Sequence, residues 1–147
     1  MEGFVVRDFR LEDYDAVINI WRETSLYSEE RGDDLNTIQR TIAHGGKLLV
    51  LEKAGEVLGT SWLTTDGRRL FIQYFAIRPD YQGFGLSHLL MRASLDYARR
   101  LGLQVKLEVH RNNKVARALY EGYGFKPLGD YDVYILRDPA SLGNGKH

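Results

Sequence analysis

The chain has 147 residues, 27% of them charged and 44% hydrophobic, with 20 basic and 20 acidic side chains and a formal net charge of zero at pH 7. That length predicts one domain able to bury a proper core, and the balanced charge gives no global field for nucleic acid or an anionic membrane surface. No cysteine is present, which removes disulfides, thiolate metal sites and any covalent cysteine intermediate.

The N-terminus, Met1 to Asp8, lacks a basic flank followed by a long apolar run and does not read as a signal peptide. No stretch approaches the length of a membrane span. The expected location is cytoplasmic. Phe4 to Arg10 reads as a short strand. Leu11-Glu12-Asp13 opens a helix whose apolar face carries Val17, Ile18 and Trp21 at helical spacing. A polar loop from Ser25 to Asp34 follows, and then a helix with Leu35, Ile38 and Ile42 on one face, stopped by Gly45-Gly46.

Three strands come next, Lys47 to Glu52, Val57 to Thr64 and Leu70 to Ile77, joined at Ala54-Gly55 and Asp66-Gly67. The Asp-Gly pair predicts a hairpin in which both turn residues take positive φ. After Gln82-Gly83-Phe84-Gly85-Leu86-Ser87, the residues Leu89, Leu90, Ala93, Leu95, Ala98 and Leu101 mark a helix that Gly102 ends. Leu103 to Val109 is strand again, so the connection predicts a right-handed parallel crossover. Asn113 to Gly122 is a helix closed by Gly124, Tyr131 to Leu136 a last strand, and residues 138–147 a flexible tail. The expected architecture is one α/β (α+β) domain over residues 1–137, with a mixed sheet of antiparallel meander plus parallel crossover and helices on both faces.

Two constellations carry chemistry. Gly83 and Gly85 let a ligand approach the main chain, and first-turn amides of the following helix lack acceptors, which makes an anion site. The plain alternative is a tight strand-to-helix turn. There is no Gly-Lys-Ser/Thr of a P-loop, and the third glycine of a dinucleotide fingerprint is missing. In the second constellation Asn113, Ala116 and Tyr120 share one helix face. Alone, Tyr120 reads as a packing tyrosine and Asn113 as a helix N-cap.

Together they are more specific. Gln82 to Ser87 resembles the acetyl-CoA pyrophosphate loop, Q/R-x-x-G-x-G/A, of the GNAT superfamily of N-acetyltransferases. Asn113 to Phe125 is similar to that family's second motif, N-x-x-A-x-x-x-Y-x-x-x-G-F, with each signature position filled, and the order of elements agrees from Phe4 to about Arg137. Ser87 departs from the preferred Gly or Ala but is small, and its hydroxyl can add a phosphate contact.

The resemblance implies that the backbone of Phe75, Ala76 and Ile77 pairs with the pantetheine arm. It implies that Gln82, Gly83, Phe84, Gly85, Leu86, Ser87 and His88 hold the pyrophosphate, and that Asn113 hydrogen-bonds the cofactor. Tyr120 is the position that protonates the departing CoA thiolate, a role suited to a neutral phenol. Leu107-Glu108-Val109 is similar to the Leu-Glu-Val of the ribosomal-protein alanine N-acetyltransferase branch, whose glutamate is a general base.

Strand alternation puts Glu108 and His110 on one face, and either can take the amine's proton. The plain reading of Glu108 is a surface carboxylate. Four scattered histidines make no metal cluster. Trp21, Tyr27, Glu29, Glu30, Asp33 and Asp34 are candidate contacts for a cationic acceptor, against the alternative of a solvated loop.

The expected function is direct acetyl transfer from acetyl-CoA to a primary amine in a ternary complex, without metal, nucleic acid or membrane partner. A small-molecule amine is the reading taken. A protein N-terminus as acceptor and a non-catalytic acyl-CoA sensor are the alternatives, and a homodimer is compatible with the sequence.

Overall fold

The computed structural model describes residues 1–142. They divide into two compact units, the first Met1–Glu108 and the second beginning at Val109.

The first unit is built on a five-stranded sheet: β1 (Phe4–Asp8), β2 (Lys47–Lys53), β3 (Glu56–Thr65), β4 (Arg69–Ile77) and β5 (Gln104–Leu107), in spatial order β1-β2-β3-β4-β5. The first four pair antiparallel and β4 pairs parallel with β5, as the crossover requires. Helix α1 (Tyr14–Glu23) and helix α2 (Leu35–Ala43) lie between β1 and β2 in sequence. Their apolar residues Val17, Ile20, Trp21 and Ile38 pack with Leu48, Val50, Trp62 and Ala76 of the strands. The crossover helix α3 (Ser87–Leu101) covers the opposite face, where Ser94 and Ser61 hydroxyls meet at 2.8 Å in the buried interior. Alternation along β2 explains the division, since Leu48 and Val50 face α1 while Leu49 and Leu51 turn away.

The Asp66-Gly67 hairpin forms, but not through two positive φ angles. Only Gly67 is positive there, at +86°, while the Asp66 carboxylate accepts from the Arg68 and Arg69 amides at 2.8 and 2.9 Å. A side chain that bonds the backbone two and three residues on substitutes for the mirror-image turn. The pair with positive φ is Ala54-Gly55, at +51° and +82°.

Register between β3 and β4 slips once. Thr60 faces Ala76 but Trp62 faces Gln73, so β4 carries one extra residue, and Tyr74 within that bulge has φ of +44°. The β4–β5 ladder stops just before it, at Ile72–Leu107. Gly59 belongs to the same place, because a Cβ there would meet the Ala76 oxygen at 2.8 Å.

Among its described residues the second unit contains one α-helix, α4 (Lys114–Gly122), and the 3₁₀ turn Pro139–Leu142. The expected strand Tyr131 to Leu136 is not formed. Its residues pair with no strand and stay exposed, Tyr134 at 90% and Val133 at 73%. Its β-propensity is real, but a strand needs a ladder partner and a face to bury, and propensity supplies neither. Likewise the strand expected over Leu103 to Val109 is shortened to Gln104–Leu107. Residues 143–147 of the expected tail lie outside the described residues.

Candidate active site

The site begins where β4 ends. Ile77 and Ala76 are buried and pair through Gly59 and Thr60 to β3, while β5 has already left the ladder at Ile72. Phe75 is half-buried in the same stretch. The chain then turns through Arg78, whose amide donates to the Leu58 carbonyl at 2.8 Å and whose guanidinium pairs with Glu56 and, at 3.3 Å, with Asp80. Pro79–Tyr81 forms a 3₁₀ turn.

Gln82 does not reach outward. Its side-chain amide donates to the Ile77 carbonyl at 2.9 Å, tying the loop back to the strand it leaves. Gly83 and Gly85 have φ of +86° and +76°, which L side chains adopt only with strain. Among the described residues the amides of Gly83, Phe84, Gly85 and Leu86 donate to no backbone carbonyl. The first-turn bonds of α3 are short-range, from His88 to the Gly85 oxygen and from Leu89 to the Leu86 oxygen. Leu86 is buried and anchors the turn, whereas Phe84 is 68% exposed and His88 also faces outward. A run of uncommitted amides at the start of a 15-residue helix fits a pyrophosphate. Glu108, the last residue of this unit, is exposed.

On the α1–α2 side of the sheet lies a cluster that periodicity does not reveal. The Tyr74 phenol donates to the Asp33 carboxylate and accepts from Arg31 Nη1 at 3.4 Å. Thr60 Oγ1 accepts from Trp21 Nε1 at 2.9 Å and donates to the Tyr74 carbonyl at 2.8 Å. Trp21 and Trp62 stack at 5.4 Å, with the Tyr74 ring edge-on to Trp21 at 4.7 Å. Burial and the Asp33 carboxylate push the Tyr74 hydroxyl up to about 12, so it stays a neutral donor.

This reassigns most of the expected acceptor contacts. Trp21 is fully buried in the core, Asp33 serves Tyr74, Asp34 caps α2 by accepting from the Thr37 amide at 2.8 Å, and Tyr27 lies under the Arg22 guanidinium. Only sequence-distant pairing joins Asp33 to Tyr74, so no local pattern marks it.

In the second unit Asn113 caps α4, its side-chain oxygen accepting from the Ala116 amide at 3.1 Å. This is the plain role read for it, and the side-chain NH₂ group is left over for a ligand. Tyr120 is half-buried, its ring 5.9 Å from Phe125, and burial raises its hydroxyl above the ordinary tyrosine value. Such a phenol holds its proton at neutral pH. His110 is exposed, and its Nδ1 accepts from the Asn112 amide at 3.1 Å, leaving the proton on Nε2 in the neutral ring.

No group of three or more His, Cys, Asp or Glu residues suited to a metal occurs among the described residues. No helix among them is long and apolar enough to cross a membrane. A polar cleft of about 550 Å³ between α1 and the β2–β3 turn, lined by Arg7, Asp13, Glu23, Glu52 and Arg78 among others, contains none of the expected site residues.

The sequence pattern of the acetyltransferase (GNAT) family matches residues 14–125. The chain belongs to this family and is an acetyltransferase, and acetyl-CoA is the acetyl donor the family uses. Similar solved structures include an acetyltransferase from Streptococcus agalactiae, at 19% identity and a TM-score of 0.78, covering 92% of this chain and 93% of that one. Ard1 from Thermoplasma volcanium is 26% identical with a TM-score of 0.72, over 84% and 83% of the two chains. The ribosomal-protein-S18-alanine N-acetyltransferase of Escherichia coli is 23% identical with a TM-score of 0.72, over 84% and 77%.

Proposed function

We propose that the chain transfers an acetyl group from acetyl-CoA to a primary amine by direct attack in a ternary complex, with a small-molecule amine as acceptor. The observation that carries the cofactor half is the loop Gln82–Ser87. Its uncommitted amides follow directly on a strand whose neighbour has left the ladder. In this reading the amides of residues 83–88 hold the pyrophosphate. The backbone of Phe75, Ala76 and Ile77 receives the pantetheine arm as an added strand, and the Asn113 side chain bonds the cofactor. Bound acetyl-CoA supplies the activated thioester.

The chain's own residues then handle two protons. Glu108 takes one from the acceptor ammonium, directly or through water, and the Tyr120 hydroxyl gives one to the departing sulfur. An amide near Ile77 polarises the carbonyl under attack. The absence of cysteine removes the commonest covalent carrier and favours direct transfer. Residues 1–137 form one acetyltransferase domain in this reading, supported by a family match that runs from residue 14 to residue 125.

A peptide N-terminus is the second reading, favoured by Leu107-Glu108-Val109 and by the likeness to an enzyme named for a ribosomal-protein alanine. The test is CoA release from acetyl-CoA with spermidine, phenylalaninamide, kanamycin and the peptide Ala-Gly-Tyr. Release above hydrolysis with one of the first three is expected; release with Ala-Gly-Tyr alone selects the second reading. Tyr120→Phe should lower kcat about 100-fold with acetyl-CoA affinity unchanged, and undiminished turnover would remove Tyr120 from the mechanism. Glu108→Gln should lower the rate and abolish the acidic limb of the pH–rate profile.

A further inference from the structure

We infer that Asp33 and Tyr74 are positioning residues, a clamp that fixes the loop between α1 and α2 against the bulged strand and thereby sets affinity for the amine acceptor. The inference rests on the reading above for the reaction itself.

Three observations converge on one phenol. Asp33 is only 6% exposed and its carboxylate accepts the Tyr74 O–H. Arg31, two residues earlier in the same loop, donates to the Tyr74 hydroxyl oxygen, holds its guanidinium 6.0 Å from the Tyr74 ring centroid and donates to the Leu26 carbonyl at 2.9 Å. The later half of the loop is therefore held directly by a single side chain of β4, and Arg31 ties the loop's start to it through the Leu26 carbonyl.

The backbone beneath that side chain is strained. A non-glycine residue in the left-handed region costs about 1–2 kcal/mol, and Tyr74 is kept there, at φ +44°, by the Thr60 hydroxyl and the two tryptophan rings. Strain that the surroundings enforce concentrates at sites with a task.

Position supplies the task. Tyr74 directly precedes Phe75, Ala76 and Ile77, the stretch to which the proposed mechanism assigns the thioester arm. Helix α3 covers the sheet's other face, through Leu90, Met91 and Ser94. Within the first unit, the loop clamped by Tyr74 thus lies on the α1–α2 face of the sheet, held at the residue next to the stretch assigned to the thioester. Asp33 has its carboxylate committed to the phenol and acts through the loop rather than by touching the amine.

The test uses the full chain, acetyl-CoA and whichever amine of the panel above gives the highest kcat/KM. Tyr74→Phe keeps the ring stack and removes only the hydroxyl; Asp33→Ala removes the acceptor. Each should raise the KM of the amine about tenfold, the scale of a hydrogen bond to a charged group, with the KM of acetyl-CoA within twofold of the parent. Asp33→Asn, whose amide oxygen can still accept, should recover part of the loss. The double variant should be no worse than either single one. Trypsin cleavage after Arg31 should quicken in Tyr74→Phe.

An unchanged amine KM in both single variants, or a parallel rise in both KM values, would reduce the pair to a core anchor and overturn the inference. A parent that releases CoA with no panel amine overturns the reading of the reaction and the acceptor role with it. The trypsin result would then still report whether the loop is clamped.

Discussion

The sheet unit and the segment that follows it are built on opposite terms. In Met1–Glu108 the side chains at issue are locked by specific partners: Trp21 stacks on Trp62 and bonds Thr60, Arg7 spans Asp13 and Glu52, and Gln82 is tied to Ile77. In the second unit α4 buries no residue completely, and the apolar chain from Tyr131 to Leu136 lies exposed. The first unit holds a backbone cradle in place, while the second presents a few side chains on one short helix. The difference teaches that here stability and the proposed protonation of the leaving sulfur are carried by different stretches of chain, while the proposed base Glu108 is the last residue of the stable unit.

The contrast can be broken by substitution. Trp21→Ala should have the largest effect, about 3–5 kcal/mol in urea unfolding, because a fully buried indole leaves a cavity and an unpartnered Thr60 hydroxyl hydrogen-bond site. Asp13→Asn should cost about 1.5 kcal/mol at pH 7, since it removes the charge from one of two partners of Arg7 while Glu52 still holds the guanidinium.

That loss should depend on pH with a definite sign. The Arg7 guanidinium, aided by the Arg10 amide and opposed by burial, holds the Asp13 carboxyl below the ordinary carboxylate range. Its contribution is therefore present above the unfolded carboxyl pKa of about 3.9 and lost as pH falls through the lower folded value. Urea midpoints of parent and Asp13→Asn should converge in acid, and a gap that persists at pH 2 would contradict the ion-pair account. At the small end, Tyr134→Ser should change stability by no more than about 0.5 kcal/mol. A loss above 2 kcal/mol would mean that the exposed segment is packed in solution and would erase the contrast.

Much of the sheet unit was legible because its signals are local. Val17, Ile18 and Trp21 repeat at helical spacing, glycines punctuate the strands, and the order strand-loop-helix-strand forces a parallel neighbour for β4. The glycine loop was legible for the same reason. What escaped is what joins distant residues. The bulge at Tyr74 depends on Thr60 across the sheet and on Asp33, 41 positions away, and no window of sequence contains all three. The Asp66 turn misled because a side chain took over a task expected of the backbone, and the Tyr131–Leu136 strand misled because propensity was present without a partner.

The stacking of Trp21 on Trp62 has an optical consequence. They are the chain's two tryptophans, 0% and 3% exposed and joined to the bulge through Tyr74. Intrinsic indole emission therefore comes from one address, beneath the α1–α2 loop, and should be blue-shifted in the folded chain. Quenching by acrylamide would then read the opening of that single region with no label added, and rotation of the Tyr74 ring would change the spectrum before the helices moved.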